Sequence, residues 1–193
     1  MRNWIIQADQ EIQLMHHDWQ FLRTGVSFNT TAGANNYTPA AAGVTDLSAW
    51  KPDSFRIYHT ATGVGSETFL GDAVSYDEFR NYWLFNMRRT TQSRPITISI
   101  GPDFSLWLGP VPNDIYTVVG EYFHTPAVLS NDADVSEIPA RFQMIIVYKA
   151  MMSYGTFEAA PEVLAAGANK YRELLSALTA NQGPTPSLGG ALV

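Results

Sequence analysis

The chain has 193 residues, a net charge of −6 and no cysteine, a length that suits one domain with a real core and a composition that excludes disulfides, thiolate metal sites and a thiol nucleophile. The acidic balance, with an isoelectric point near 5.1, argues against a protein whose main task is gripping phosphate backbones. Charged residues are only 16% of the chain and aromatics reach 12%, against roughly 25% charged in ordinary soluble domains, so part of the surface is expected to end against other protein.

No apolar run approaches the roughly 20 residues of a membrane span, and Gln7, Asp9, Gln10 and Glu11 stand where a secretory leader would be apolar. A chain made without export gives the formal glycosylation match at Asn29-Thr30-Thr31 no meaning. Ile5, Ala8, Ile12, Met15, Trp19 and Leu22 recur in steps of three and four, which predicts a first helix over 3–22, with Gly25 placed to end it. From 25 to 74 turn formers become frequent and Val26/Phe28 and Phe55/Ile57 alternate, as in strands joined by long loops. The small, polar run from Thr30 to Ala42 has only Tyr37 to bury and reads as a protruding β-loop.

Ser75-Tyr76-Asp77-Glu78 is a capping box that opens a second helix, over 76–90. Phe79, Tyr82, Trp83 and Met87 give it an aromatic stripe, and Arg88 and Arg89 stand at its end, where cations suit the helix dipole. A second β-rich stretch spans 95–125. In it Ile96 to Ile100 alternates, Gly101-Pro102-Asp103 turns the chain and Leu106 to Leu108 returns it; Tyr116 to Thr125 is expected to add a third antiparallel strand to that hairpin. Pro139 is suited to begin a third helix, over 139–154, that is apolar all round and therefore central, with Gly155 as its stop. Leu164, Ala168, Tyr171, Leu175 and Leu178 form the stripe of a fourth, over 160–180. These elements add up to one domain over 1–180, mainly helical α+β, with a four-helix bundle-like core and an inserted antiparallel β-rich region. Residues 181–193 carry no charge and end in Leu188, Ala191, Leu192 and Val193, the composition of a flexible C-terminal tail.

Catalytic and metal motifs are weak. His16 and His17 are adjacent, so on a helix they diverge by about 100° and cannot share a metal. Asp132-x-Asp134-x-x-Glu137 lacks the glycine and distal Glu of a calcium loop and is better read as a complement to the third helix's dipole. Gly63-x-Gly65 has Thr68 where a third glycine belongs, and no Gly-x-Ser-x-Gly elbow occurs. No cofactor and no enzymatic role are expected. The candidate contact residues are Leu188, Leu192 and Val193 of the tail, Tyr37 of the long loop, and the cationic cluster Arg88, Arg89 and Arg94.

Trp4-Ile5-Ile6-Gln7-Ala8-Asp9-Gln10-Glu11-Ile12-Gln13 running into Asp18-Trp19-Gln20-Phe21-Leu22 resembles the first helix of the head-to-tail adaptor, or connector, family of tailed bacteriophages. Trp50 to Phe55, Arg94 to Ile98, Leu106 to Pro112, Ile138 to Phe142, Ile146 to Met151, Tyr154-Gly155 and Ala160 to Glu162 follow in the same order. The likeness runs from Trp4 to Leu178, in packing and turn motifs that are specific only in combination. The resemblance implies a structural virion protein at the head–tail junction, present in the host cytoplasm before assembly. It further implies copies joined in a closed, dodecameric ring by heterologous contacts, with the portal protein on one face and tail or nozzle proteins on the other. DNA would pass through the channel without sequence-specific binding, and no membrane is involved. The alternative is a carbohydrate-binding or host-recognition module of a virion, with Trp50, Trp83 and Trp107 stacking on sugars.

Overall fold

The computed structural model describes residues 2–183, which form two compact units. One is built from both ends of the described chain, up to Arg23 and again from Thr125 onward; the other is the continuous stretch Thr24–His124.

The first unit is helical. Helix α1 (Arg2–Gln13) buries Ala8, Asp9, Ile12 and Gln13 on one face, α3 (Met144–Phe157) buries Ile145, Ile146, Ala150 and Gly155, and α4 (Pro161–Gln182) begins with its proline in the first turn. The first helical stripe predicts continuation to Leu22, yet the helix stops at Gln13 and a 3-10 turn follows at Gln20–Leu22. The stripe residues beyond Gln13 are still buried, because the chain folds back: Trp19 is fully enclosed and its indole N–H donates to the Ile12 carbonyl at 3.3 Å. Gly155 lies inside α3 rather than at its stop. A methyl there would stand 2.7 Å from the Leu164 backbone nitrogen, so its small size lets α3 and α4 approach. Asp132, Asp134 and Glu137 precede no helix start directly. Asp134 instead accepts the backbone N–H groups of Ser130 and Asn131, both at 2.7 Å, which holds its carboxyl below the usual range.

The second unit holds a β core. Strands β1 (Arg23–Asn29), β3 (Leu47–His59), β4 (Thr68–Phe69) and β10 (Tyr116–His124) form one sheet in the order β1-β10-β3-β4. A second sheet has the order β2-β8-β7-β5, from β2 (Asn36–Tyr37), β5 (Gly71–Ala73), β7 (Thr97–Ile100) and β8 (Leu106–Gly109). A short parallel pair joins β6 (Gln92–Ser93) to β9 (Val111–Pro112). Between the strands lies α2 (Tyr76–Trp83), started by the Ser75–Glu78 capping box. Phe28, Trp50, Phe55, Ile57, Leu70, Ile98, Leu106, Leu108 and Val118 belong to one buried cluster drawn entirely from this unit.

A mainly helical four-helix bundle is therefore not what the chain forms. The described residues are 39% helical and 26% strand, α2 packs on the hairpin and not on the other helices, and the largest apolar cluster is made of strands. The protein is α+β with substantial β. The β7–β8 hairpin is antiparallel, Ile98 facing Leu108. Its flanks, however, are taken by β2 and β5, while β10 pairs with β3, Val118 opposite Ile57. Two segments that look like loops in sequence thus displace the expected third strand. The Thr30–Ala42 run does not protrude either: Ala42 and Val44 are buried, and Tyr37 adds its ring to the core.

Lys51-Pro52-Asp53-Ser54 sits at a break in the β3–β10 register, which jumps from Arg56 opposite Val119 to Lys51 opposite Glu121. Proline has no N–H to give a ladder, and such a bulge asks for none. The gap is closed by Ser54, whose hydroxyl donates to the Lys51 carbonyl at 2.6 Å and accepts the Glu121 N–H at 2.9 Å. Gly120 faces the bulge because a methyl there would fall 2.4 Å from the Phe55 ring.

Candidate interaction surface

Within the β unit, α2 and the 3-10 turn after it (Asn86–Arg89) carry a surface that is aromatic and cationic together. The sequence builds it in three steps. The capping box fixes the start of α2: the Ser75 hydroxyl accepts the Glu78 N–H, and the Glu78 carboxylate accepts the Ser75 N–H at 3.1 Å and its hydroxyl at 2.7 Å. Those bonds hold the exposed Glu78 carboxyl below its ordinary value. Phe79 then anchors the inner face, fully buried with its ring 6.4 Å from that of Trp107, while Trp83 lies so close over Gly109 that a methyl there would stand 2.7 Å from the indole. Finally Asn86, at a positive φ of 58°, reverses the chain, a conformation asparagine tolerates better than most residues.

The outer face is left to solvent. Tyr82, Phe85 and Ile96 are exposed, and Met87 is 85% so. Arg88 lies over the Tyr82 ring, 3.9 Å from its centre, and Arg80 over Phe85 at 5.5 Å. Guanidinium groups so placed keep their charge and are held flat by the rings. No ion pair is recorded for Arg80, Arg88 or Arg89 among the described residues. Tyr82, Trp83, Ile96 and Thr97 border a cleft of about 660 Å³, and Arg89 helps line another of about 490 Å³ with Leu84, Gln92 and Trp107. Such a surface can receive an apolar side chain flanked by acidic groups.

The residues singled out from sequence fall into three classes. Arg88 and Arg89 are on this surface. Arg94 is turned into its own fold, donating to the carbonyls of Ile57 at 2.9 Å and Ser66 at 2.6 Å and to the Thr68 hydroxyl at 2.8 Å, so it ties β3 to the following turn. Tyr37 is 6% exposed, tilted against Phe28, with its hydroxyl donating to the Ala34 carbonyl at 2.7 Å. Leu188, Leu192 and Val193 lie outside the described residues. Sequence reading passed over Arg80 and Phe85; their spacing from Arg88 and Tyr82 carries no signal until the turn at Asn86 brings the rings and guanidiniums together.

The aromatic platform needed for sugar stacking is not assembled. Trp50 is 5% exposed in the core, its indole N–H donating to the Phe104 carbonyl at 2.7 Å, and Trp107 packs under Tyr76 and Phe79. Among the described residues no group of three His, Asp or Glu is placed to hold a metal ion, and no helix is long and apolar enough to cross a membrane. His59 and Asp114 pair at 3.0 Å, which lowers the Asp114 carboxyl; the pair joins β3 to the start of β10 and has no adjoining nucleophile recorded.

The family model described as SU10 adaptor protein matches residues 1–188. No curated protein matches the chain.

Proposed function

The chain belongs to the SU10 adaptor protein family, a family of phage head–tail adaptors, and from that premise we propose that its copies close into a ring joining the portal of the head to the tail and continuing the DNA channel. The coarser part is not in question: this is a structural adaptor of a phage particle. The observation that carries the finer reading is the extent of the match, residues 1–188, which leaves almost no chain for a separate activity; we assign it no catalytic role. The exposed Arg80, Arg88, Tyr82, Phe85 and Met87 surface supports the reading, because exposed aromatics interleaved with arginines are the composition of protein contact sites. A net charge of −6 suits a channel wall past which DNA slides without being held. The uncharged C-terminal residues Leu188, Leu192 and Val193 are the proposed contact with portal, where repetition around a ring would multiply a small gain per copy.

Imaging of assembled particles tests this. The expected result is a closed layer of this chain between portal and tail; density elsewhere in the particle, or an unclosed arrangement, overturns the ring reading.

A further inference from the structure

On the helical unit, α1 and α3 leave a furrow between them. Its lining comes from Trp4 and Ile5 of α1 and from Val147, Ala150, Met151 and Tyr154 of α3, nearly all apolar in its exposed atoms. The four α3 positions are spaced i, i+3, i+4 and i+7, so they form one helical face. Phe157, 72% exposed, prolongs that face, its ring 5.4 Å from Trp4, and Tyr154 stands edge-on to the same indole at 5.8 Å. The furrow holds about 120 Å³, well under the roughly 300 Å³ at which small-molecule sites begin. It is the size for one or two aliphatic side chains. A cofactor does not fit, and a charged peptide would gain nothing from walls without polar groups.

The chain itself contains a segment with the matching chemistry. Residues 184–193 carry no charge and end in Leu188, Ala191, Leu192 and Val193. They begin where α4 ends, and that place is fixed: Arg141, just before α3, hydrogen-bonds Asn181 in the last turn of α4. The segment therefore starts beside the first turn of α3. From Arg141 the furrow residues Val147 to Tyr154 are about 9–20 Å along the helix axis at ~1.5 Å per residue. Ten extended residues reach about 33 Å. Length, starting point and chemistry all suit the same furrow.

We propose that the C-terminal segment of the unassembled chain lies in its own α1–α3 furrow, with Leu188 and Leu192 against Val147, Met151 and Tyr154. The contact requires neither ring nor portal, so it stands or falls apart from the adaptor reading. Its consequence for assembly is an exchange: the same apolar side chains are kept covered in the free subunit and are released only where a partner offers a better groove.

The absence of native cysteine makes the test clean. Full-length protein carrying Met151→Cys and Leu192→Cys is oxidised mildly at low concentration, beside a control carrying Glu173→Cys and Leu192→Cys. Glu173 is on α4, and its position is as accessible to a freely tethered tail as the furrow. Disulfide formation needs the two Cα atoms within about 7 Å. The expected result is an intrachain disulfide forming at least ~10-fold faster in the furrow pair; equal rates overturn the proposal, and so does a mainly interchain bond, which would give the furrow to a neighbour's tail. Val147→Cys replaces Met151→Cys if the latter disturbs folding. As a second readout, hydroxyl-radical footprinting of the full chain and of a chain ending at Gly183 should show Met151, Tyr154 and Phe157 several-fold more reactive in the shorter one. Unchanged reactivity overturns the proposal.

Discussion

Asp9 is fully buried on α1, accepting from the Ser136 hydroxyl at 2.5 Å and from the Gln13 amide at 2.8 Å. Burial raises its carboxyl above the ordinary 3.8, and the two hydrogen bonds only partly oppose it. Between that ordinary value and the raised one, the native state holds a proton that the unfolded chain has already released. This site therefore adds stability at low pH and loses it as pH rises through the window. Asp9→Asn keeps an acceptor for Ser136 and can pair with the Gln13 Oε1, which is buried without a partner. The variant is expected to gain on wild type between pH 3.5 and 7 in denaturant melts, whereas Asp9→Leu, which strands both donors, should cost about 1–3 kcal/mol at either pH. A pH-independent difference for Asp9→Asn would show that the carboxyl is ionised throughout. Ala159, at a positive φ of 52° between α3 and α4, is a strained position for a residue with a β-carbon. Ala159→Gly should raise the melting temperature by a few degrees, since relief of ~1 kcal/mol or more outweighs the added freedom of the unfolded chain. Arg94 and Tyr37 show what single residues withhold in a sequence. An arginine near other arginines and a tyrosine in a polar run both look available, and only the distant carbonyls of Ile57, Ser66 and Ala34 reveal that they are occupied.

Elements were legible where their determinants are local. The Ser75 capping box depends on four consecutive residues and is present; Ser75→Ala should lower stability by about 1 kcal/mol, read as a drop in melting temperature with the fold retained. The β7–β8 hairpin likewise rests on alternation and a turn. The first helical stripe gave the right buried residues, Ala8, Ile12, Trp19 and Leu22, but not the right element. Periodicity reports which side chains are covered, and a chain that folds back covers Trp19 as well as a longer helix would. Sheet order was illegible for a related reason: β2 and β5 are two and three residues long, too short to show a pattern, yet they occupy both flanks of the hairpin. Gly155 read as a helix end because glycine weakens helices; its use is to admit α4. Gly155→Ala is expected to destabilise the helical unit by about 1–3 kcal/mol through forced separation of α3 and α4. A neutral melt would show that the two helices can part freely.

For the molecule as a whole, the interaction surface was half legible. Arg88 and Arg89 are a visible pair, but the rings that flatten Arg80 and Arg88 required the turn at Asn86. Reversing Arg80, Arg88 and Arg89 to Glu should leave the melting temperature within a degree or two, because none has a recorded ion pair among the described residues. Incorporation into particles should fall at least ~10-fold, the effect of losing roughly 1.4 kcal/mol per contact. Normal incorporation would mean that this face is not an interface. The order in which the two units are encoded has a consequence in the cell. All strands of the β unit have been made once His124 leaves the ribosome, whereas α1, made first, must wait for α3 to cover Ala8 and Ile12. At ~5–20 residues per second the wait from Gln13 to Met144 is on the order of ten seconds, long compared with the microseconds in which an exposed apolar face finds other company. The nascent α1 is thus the part of this chain a chaperone would be expected to hold, and slowing translation within the β unit should cost soluble yield, not gain it.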